Sequence, residues 1–154
     1  MAGQPKYPIY IVSKGRAYNP MTAKIFEGAG IDYFIVVEPQ EADEYIEALS
    51  KERVLVLPFS NKGLGSFPAR NWCWEHSMKA GYAKHWVFDD NLRPFRKWVN
   101  GKRVQTDNVK DALAYVEAFS DQNNIDIAGF EEWNFAPRAP NTPFKKTATF
   151  IQPC

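Results

Sequence analysis

Cysteine is scarce in this chain of 154 residues: Cys73 and Cys154 are the two present, which leaves no disulfide framework and no paired-cysteine metal motif. Histidine is as rare. His76 and His85 have no second ligand at metal spacing, which argues against a zinc centre. An excess of one charge is missing too: nineteen Lys and Arg against eighteen Asp and Glu leave a formal charge of +1. That balance excludes a polybasic nucleic-acid coat but leaves room for a local basic groove. The apolar run from Ile9 near the N-terminus covers four residues, IYIV, too short for a signal peptide or a membrane span. Neither a dinucleotide fingerprint nor a Walker loop occurs, and no internal repeat or low-complexity tract is visible. What is present is an ordinary globular composition, 45% hydrophobic, 15% aromatic and 24% charged, which excludes a disordered chain or a coiled coil. A chain of this size buries about two thirds of its unfolded surface. A single domain in a reducing compartment, the cytoplasm, is the expectation.

The apolar runs come in alternation with helical segments. IYIV ends in SKGR and reads as a buried strand feeding a loop. Asn19-Pro20 opens a helix that exits at Gly28 and Gly30. DYFIVVEP, from Asp32, is a second strand. QEADEYIEAL, after Pro39, is a helix with Ala42, Tyr45, Ile46 and Leu49 on its apolar face. RVLVLPF, from Arg53, is a third strand, so the chain opens as a mostly parallel sheet covered by helices. A Gly-rich loop, SNKGLGSFP, leads to a helix from Pro68 that stops near Gly81, and then to a strand, HWVFDDN. FRKWV and KRVQ flank Asn100-Gly101 as a basic hairpin. A helix follows from Asn108 to Ser120, and IDIAGF, from Ile125, reads as one more strand.

Four places carry candidate chemistry. Asp89-Asp90-Asn91 ends a buried strand, where open α/β sheets bind ligands. Alternation points Asp89 and Asn91 one way and Asp90 another, yet a turn beginning there can bring both acids toward one hard cation, Mn²⁺ or Mg²⁺, holding a substrate phosphate. The same residues also suit plain capping of the next turn. Ser13 to Arg16 after the first strand can cradle a nucleotide, with Arg16 on phosphate or base; a solvated turn is the plainer reading. Gly63 and Gly65 permit a tight loop before Arg70 and Asn71, and Arg70 can reach a diphosphate or hold the carboxylates in position. Glu131-Glu132 follows the last strand and suits a general base, or a solvated edge.

In their order, IYIVSKGR, DYFIVVEP, VLVLPFSNKGLGSFPARNWCWEHS and HWVFDDN resemble the small phage-type GT-A glycosyltransferases associated with TET-type hydroxylases. The likeness is best from Tyr7 to Phe95. It implies a GT-A-like, Rossmann-like α/β fold: a mostly parallel sheet with flanking helices and the basic hairpin. Ser13 and Arg16 then match the segment that holds the donor nucleotide. Gly63, Arg70 and Asn71 match the Gly-rich loop and the start of the following helix. Asp89, Asp90 and Asn91 match the DxD-like motif that binds a divalent ion and the nucleotide-sugar diphosphate. That motif often ends in Asp, and Asn91 offers instead a neutral amide oxygen, a weaker ligand. Glu131 or Glu132 matches the acidic base of inverting members. The resemblance implies a nucleotide-sugar donor, a UDP-sugar first among the choices, and hydroxymethylated pyrimidines in DNA as acceptors.

The hairpin fits such an acceptor on its own terms. Arg93, Arg96, Lys97, Lys102 and Arg103 crowd a segment that also carries Phe95 and Trp98, so cations for phosphates lie beside an aromatic for an extruded base. The reading is a single domain over residues 1–154, either truncated at its C-terminus or a minimal version, because a late histidine or flexible segment of the GT-A type is not recognisable. The expected reaction is displacement at the anomeric carbon, with Glu131 or Glu132 deprotonating the acceptor. Two rivals remain open at this point: a metal-dependent nucleotidyltransferase, and a DNA-binding accessory protein without activity.

Overall fold

A computed structural model of the chain describes residues 3–130. The four apolar runs form one parallel sheet: β1 (Ile9–Val12), β2 (Phe34–Val37), β3 (Val54–Val56) and β4 (Trp86–Asp89). Their spatial order is β3-β2-β1-β4. In register, Tyr10 lies beside Phe34 on one side and Val87 on the other, and Val12 lies beside Asp89. Helices α1 (Met21–Gly28), α2 (Ala42–Ala48), α3 (Phe67–Lys79) and α4 (Val109–Gln122) connect and cover the strands.

The period-two alternation of each strand divides the core. Ile9, Ile11, Ile35, Val37, Trp86 and Phe88 face one way, onto Ala23 and Phe26 of α1, Tyr45 of α2 and Leu113 of α4. Tyr10, Val36 and Val87 face the other way, onto Ala69 and Cys73 of α3. The chain thus adds β2 and β3 on one side of β1 with α1 and α2 on one face, then reverses to place β4 on the other side of β1 with α3 on the opposite face. Right-handed crossovers demand that swap of faces. This is a GT-A-like Rossmann fold, as the sequence leads one to expect, and the reversal creates a switch point between the carboxyl ends of β1 and β4, where open α/β sheets place ligands.

Strands β5 (Arg96–Val99) and β6 (Lys102–Gln105) form the expected antiparallel hairpin. Its two-residue turn has Asn100 at φ 49° and Gly101 at φ 75°, the left-handed pair that matches strand twist.

The strand read over IDIAGF is not present. Asn124, at φ 51°, closes α4: the Ile125 N–H donates to the Ser120 carbonyl at 2.9 Å and the Ser120 hydroxyl donates back to the Ile125 carbonyl at 2.7 Å. The alternating pattern is therefore consumed by a helix-ending motif. Beyond it the segment is irregular; Phe130 stacks on Trp86 with ring centroids 5.7 Å apart, and Ile127 is exposed.

At the amino ends of the strands, Asp121 of α4 accepts from the Lys6 ammonium at 2.7 Å, the Lys84 ammonium at 2.9 Å and the Tyr7 hydroxyl at 2.8 Å. Lys6, then Lys84 and Tyr7, hold its carboxyl well below the ordinary value of 3.8. A depressed folded-state pKa stabilises the fold above the unfolded value, and that contribution is lost as the pH falls through the folded one. Urea midpoints are thus expected to drop below about pH 4 in the native chain. Asp121→Asn should be less stable at neutral pH and show a smaller acid drop. Parallel acid profiles for the two proteins would remove Asp121 from this role.

Candidate active site

A cavity of about 490 Å³ opens at the switch point. That volume is typical of small-molecule sites. Val12, Val36 and Leu57 form its apolar floor; Ser13, Lys14 and Arg16 come from the loop after β1, Glu38 from the end of β2, and Asp89 and Asp90 from β4. The Gly-rich loop contributes Asn61, Lys62, Gly63, Gly65 and Ser66, so the N-terminus of α3 borders the opening. A helix N-terminus presents unpaired N–H groups and favours anions.

The two consecutive acids go to opposite faces of the sheet, as their strand position requires. Asp89 shares the parity of Val87 and reaches α3, where its Oδ1 accepts from Arg70 Nη2 at 2.5 Å. Asp90 turns toward α1 and α2. It is buried, with Oδ2 accepting from Ser13 Oγ at 2.7 Å and Oδ1 at 3.3 Å from Arg16 Nε. Thr22, at the start of α1, staples this turn. Its N–H donates to the Asp90 carbonyl, its hydroxyl donates to the Asp89 carbonyl at 2.5 Å, and the Leu92 N–H donates to the same hydroxyl at 3.0 Å. One of the orphan N–H groups at the uncapped end of α1 is thereby satisfied.

A second network lines the opposite wall. Glu38 accepts from Lys14 Nζ at 2.6 Å, from Gln40 at 2.7 Å and from the Asn61 N–H at 2.9 Å. The Lys14 ammonium holds the Glu38 carboxyl below its ordinary range. Lys14 also donates to Asn61 Oδ1, which ties the β1 loop to the Gly-rich loop. Lys62 lies over the Phe59 ring at 4.0 Å.

Ser13, Arg16, Gly63, Asp89 and Asp90, all singled out from the sequence, therefore meet at one cavity. Arg70 stands at its edge on Asp89. Asn71 and Asn91 are exposed and do not line it. The hairpin residues Arg96, Lys97, Trp98, Lys102 and Arg103, and Arg93 ahead of them, lie away from its lining. Within the hairpin, the Arg103 guanidinium sits over the Trp98 ring at 5.3 Å, and Phe95 packs into the core against Phe130 rather than standing free for a base. Glu131 and Glu132 fall outside the described residues. Sequence reasoning passed over Lys14, Glu38, Thr22 and Tyr45. Glu38 obeys the same strand-end rule as Asp89, and Lys14 belongs to the SKGR segment; Thr22 and Tyr45 carry no local signal.

The residues fit a hard divalent cation in one specific way. Both Asp90 oxygens are engaged by protein donors, whereas the Asp89 side chain is 45% exposed at the cavity with Oδ1 on Arg70. Among the described residues no three His, Cys, Asp or Glu side chains form a metal cage. Mg²⁺ and Mn²⁺ use one or two carboxylates plus substrate phosphates and need no such cage.

A parallel Rossmann-like sheet with a mixed-charge cavity and strand-end acids at its switch point places the domain in the GT-A-like fold class. The chain belongs to the TAGT family, TET-Associated Glycosyltransferase, whose family model matches residues 7–154. It is thus a transferase that moves sugar. No curated protein and no solved structure matches the chain. Among the described residues no helix is long and apolar enough to cross a membrane.

Proposed function

We propose that the chain transfers a sugar from a nucleotide-sugar, a UDP-sugar foremost, to the hydroxyl of a hydroxymethylated pyrimidine in DNA. The observation that carries this reading is the convergence of Ser13, Arg16, Gly63 and Asp89 on one cavity at the switch point. The donor diphosphate lies between the β1 loop and the N-terminus of α3, with Arg16 and Lys14 facing it. Asp89 is the carboxylate that would hold Mn²⁺ or Mg²⁺ together with the diphosphate, and Arg70 sets its direction. Such an ion, when bound, neutralises the charge of the departing nucleoside diphosphate. Asp90 shapes the loop instead of ligating. Glu131 or Glu132 takes the proton of the acceptor hydroxyl. Direct displacement then inverts the anomeric carbon.

The hairpin supplies the acceptor surface. Cross-strand register puts Lys97 and Lys102 on one hairpin face and Trp98 with Arg103 on the other. Both lysines and Arg93 are exposed. In a mixture of UDP-sugar, Mn²⁺ and DNA, UDP release is expected only when the DNA carries hydroxymethyl groups. Pyrophosphate release would indicate nucleotidyl transfer instead, and DNA binding without nucleotide turnover would indicate an accessory protein. Lys97→Glu/Lys102→Glu should weaken DNA binding about tenfold and shrink the salt slope by about two. UDP affinity, read at the separate cavity, serves as the fold control. DNA binding and salt slope equal to the native values would take the hairpin out of the acceptor site.

A further inference from the structure

The loop that carries Ser13 and Arg16 makes one backbone bond of its own, from the Asn19 N–H to the Arg16 carbonyl at 3.0 Å, and takes further anchors from elsewhere. Two side chains reach it from outside, Tyr45 of α2 and Glu41 in the turn just ahead of that helix. The Gly15 N–H donates to Glu41 at 2.8 Å, and the Arg16 N–H donates to the Tyr45 hydroxyl at 2.9 Å. The same Tyr45 oxygen lies 2.6 Å from Ser13 Oγ. The direction of this last bond follows from counting protons. Ser13 Oγ has one hydrogen, and a carboxylate can only accept, so Ser13 donates to Asp90. Tyr45 must then donate to Ser13. A single directed chain results, from the Arg16 N–H through Tyr45 and Ser13 to the Asp90 carboxylate, and each bond polarises the next. Tyr45 is fully buried, and burial pushes its phenol above the ordinary value, so the hydroxyl keeps its proton.

We infer that α2 and the turn that leads into it clamp the donor loop, with the Tyr45 hydroxyl as the main positioning group and Glu41 as the second point. This rests on reading the cavity as the donor site. The ring of Tyr45 fills the core, as any apolar residue at that helix position would. The hydroxyl is the part that acts on the site: without it the Arg16 N–H loses its acceptor and Ser13 loses its donor. Arg16 is then held only by its ion pair with Asp90 and by the bond its carbonyl accepts from the Asn19 N–H, and Asp90 is less well oriented, although Tyr45 does not line the cavity. A group of this kind affects how well the loop receives the donor, before and during transfer alike, so it moves KM more than kcat.

The test is Tyr45→Phe, which deletes one oxygen and keeps the ring. Calorimetry with UDP and Mn²⁺ is expected to show about tenfold weaker binding, with donor KM raised by about the same factor and kcat within about twofold. Combining it with Ser13→Ala should add little further loss, because both cut the same chain. Should Tyr45→Phe fail to fold, Glu41→Ala, at a half-buried position just ahead of α2, tests the same clamp and is expected to raise donor KM several-fold. Native-like UDP affinity in folded Tyr45→Phe, or in Glu41→Ala if that is the variant that folds, would overturn the clamp while leaving the donor site standing. Losses that simply add to those of Ser13→Ala would do the same. A native protein that binds none of UDP, CDP and GDP would overturn the donor site and the clamp together.

Discussion

Exchanging Asp89 for asparagine is expected to lower sugar transfer about 10³-fold while the protein stays folded. Asp89 ends β4 on the α3 face, and its side chain is half exposed at the cavity. Its pairing with Arg70 is solvated on the Asp89 side, so breaking it should cost the fold about 1 kcal/mol or less. The reaction loses more. Charge builds on the departing diphosphate, and the carboxylate that would hold a neutralising cation there has become a neutral amide. Arg70 loses its anionic partner and keeps the bond from its Nε to the Ser66 hydroxyl at 3.2 Å. The check is the initial rate of UDP release from a UDP-sugar with Mn²⁺ and hydroxymethylated DNA, beside a thermal unfolding curve. A native rate would exclude Asp89 from the reaction.

The neighbouring acid should behave in the opposite manner. Asp90→Ala is expected to lower stability by about 3 kcal/mol, because buried hydrogen bonds to a charged group are worth about 1.5–3 kcal/mol each. Ser13 Oγ loses its acceptor inside the fold, and the chain from Tyr45 loses its terminus. Arg16 is 43% exposed and regains water, which keeps the loss below that of a fully buried pair. For a chain of this size the midpoint of thermal unfolding should fall about 6–12 °C. Asp90→Asn retains one acceptor oxygen and should lose about half as much. UDP binding should weaken with it, since the loop that carries Ser13 and Arg16 loosens. Two adjacent acids would then separate cleanly, one affecting rate and the other stability. Equal effects on both quantities from Asp89→Asn and Asp90→Ala would contradict the division of the pair between the two sheet faces.

Much of the site was legible along the chain because it obeys short-range rules. Asp89 and Asp90 follow an apolar run, Ser13 to Arg16 follow another, and the Gly-rich loop precedes a helix with a proline in its first turn. Glu38 ends a strand by the same logic and was open to the same reading. Trp98 and Arg103 illustrate where such reading stops. Composition suggests an acceptor role for both, and it takes the cross-strand register to show that the guanidinium lies over the ring. IDIAGF had the alternation of a strand, but a helix end claimed the backbone groups of Ile125.

The sequence by itself determined the elements and their order: apolar periodicity, the glycines and prolines at their ends, and Asn100-Gly101 in the hairpin act within one or two turns of chain. Only the tertiary structure decided that β1 lies between β2 and β4, since strand neighbours are chosen by burial and hydrogen bonding between segments far apart. That order creates the switch point and brings the β1 loop against the acids of β4. It also decided the role of Tyr45, which bonds residues 29 and 32 positions away. A helical period records that the ring is buried, but it carries no information about the partner of the hydroxyl. That partner is set by packing between α2 and the end of β1, a distance over which no local pattern extends.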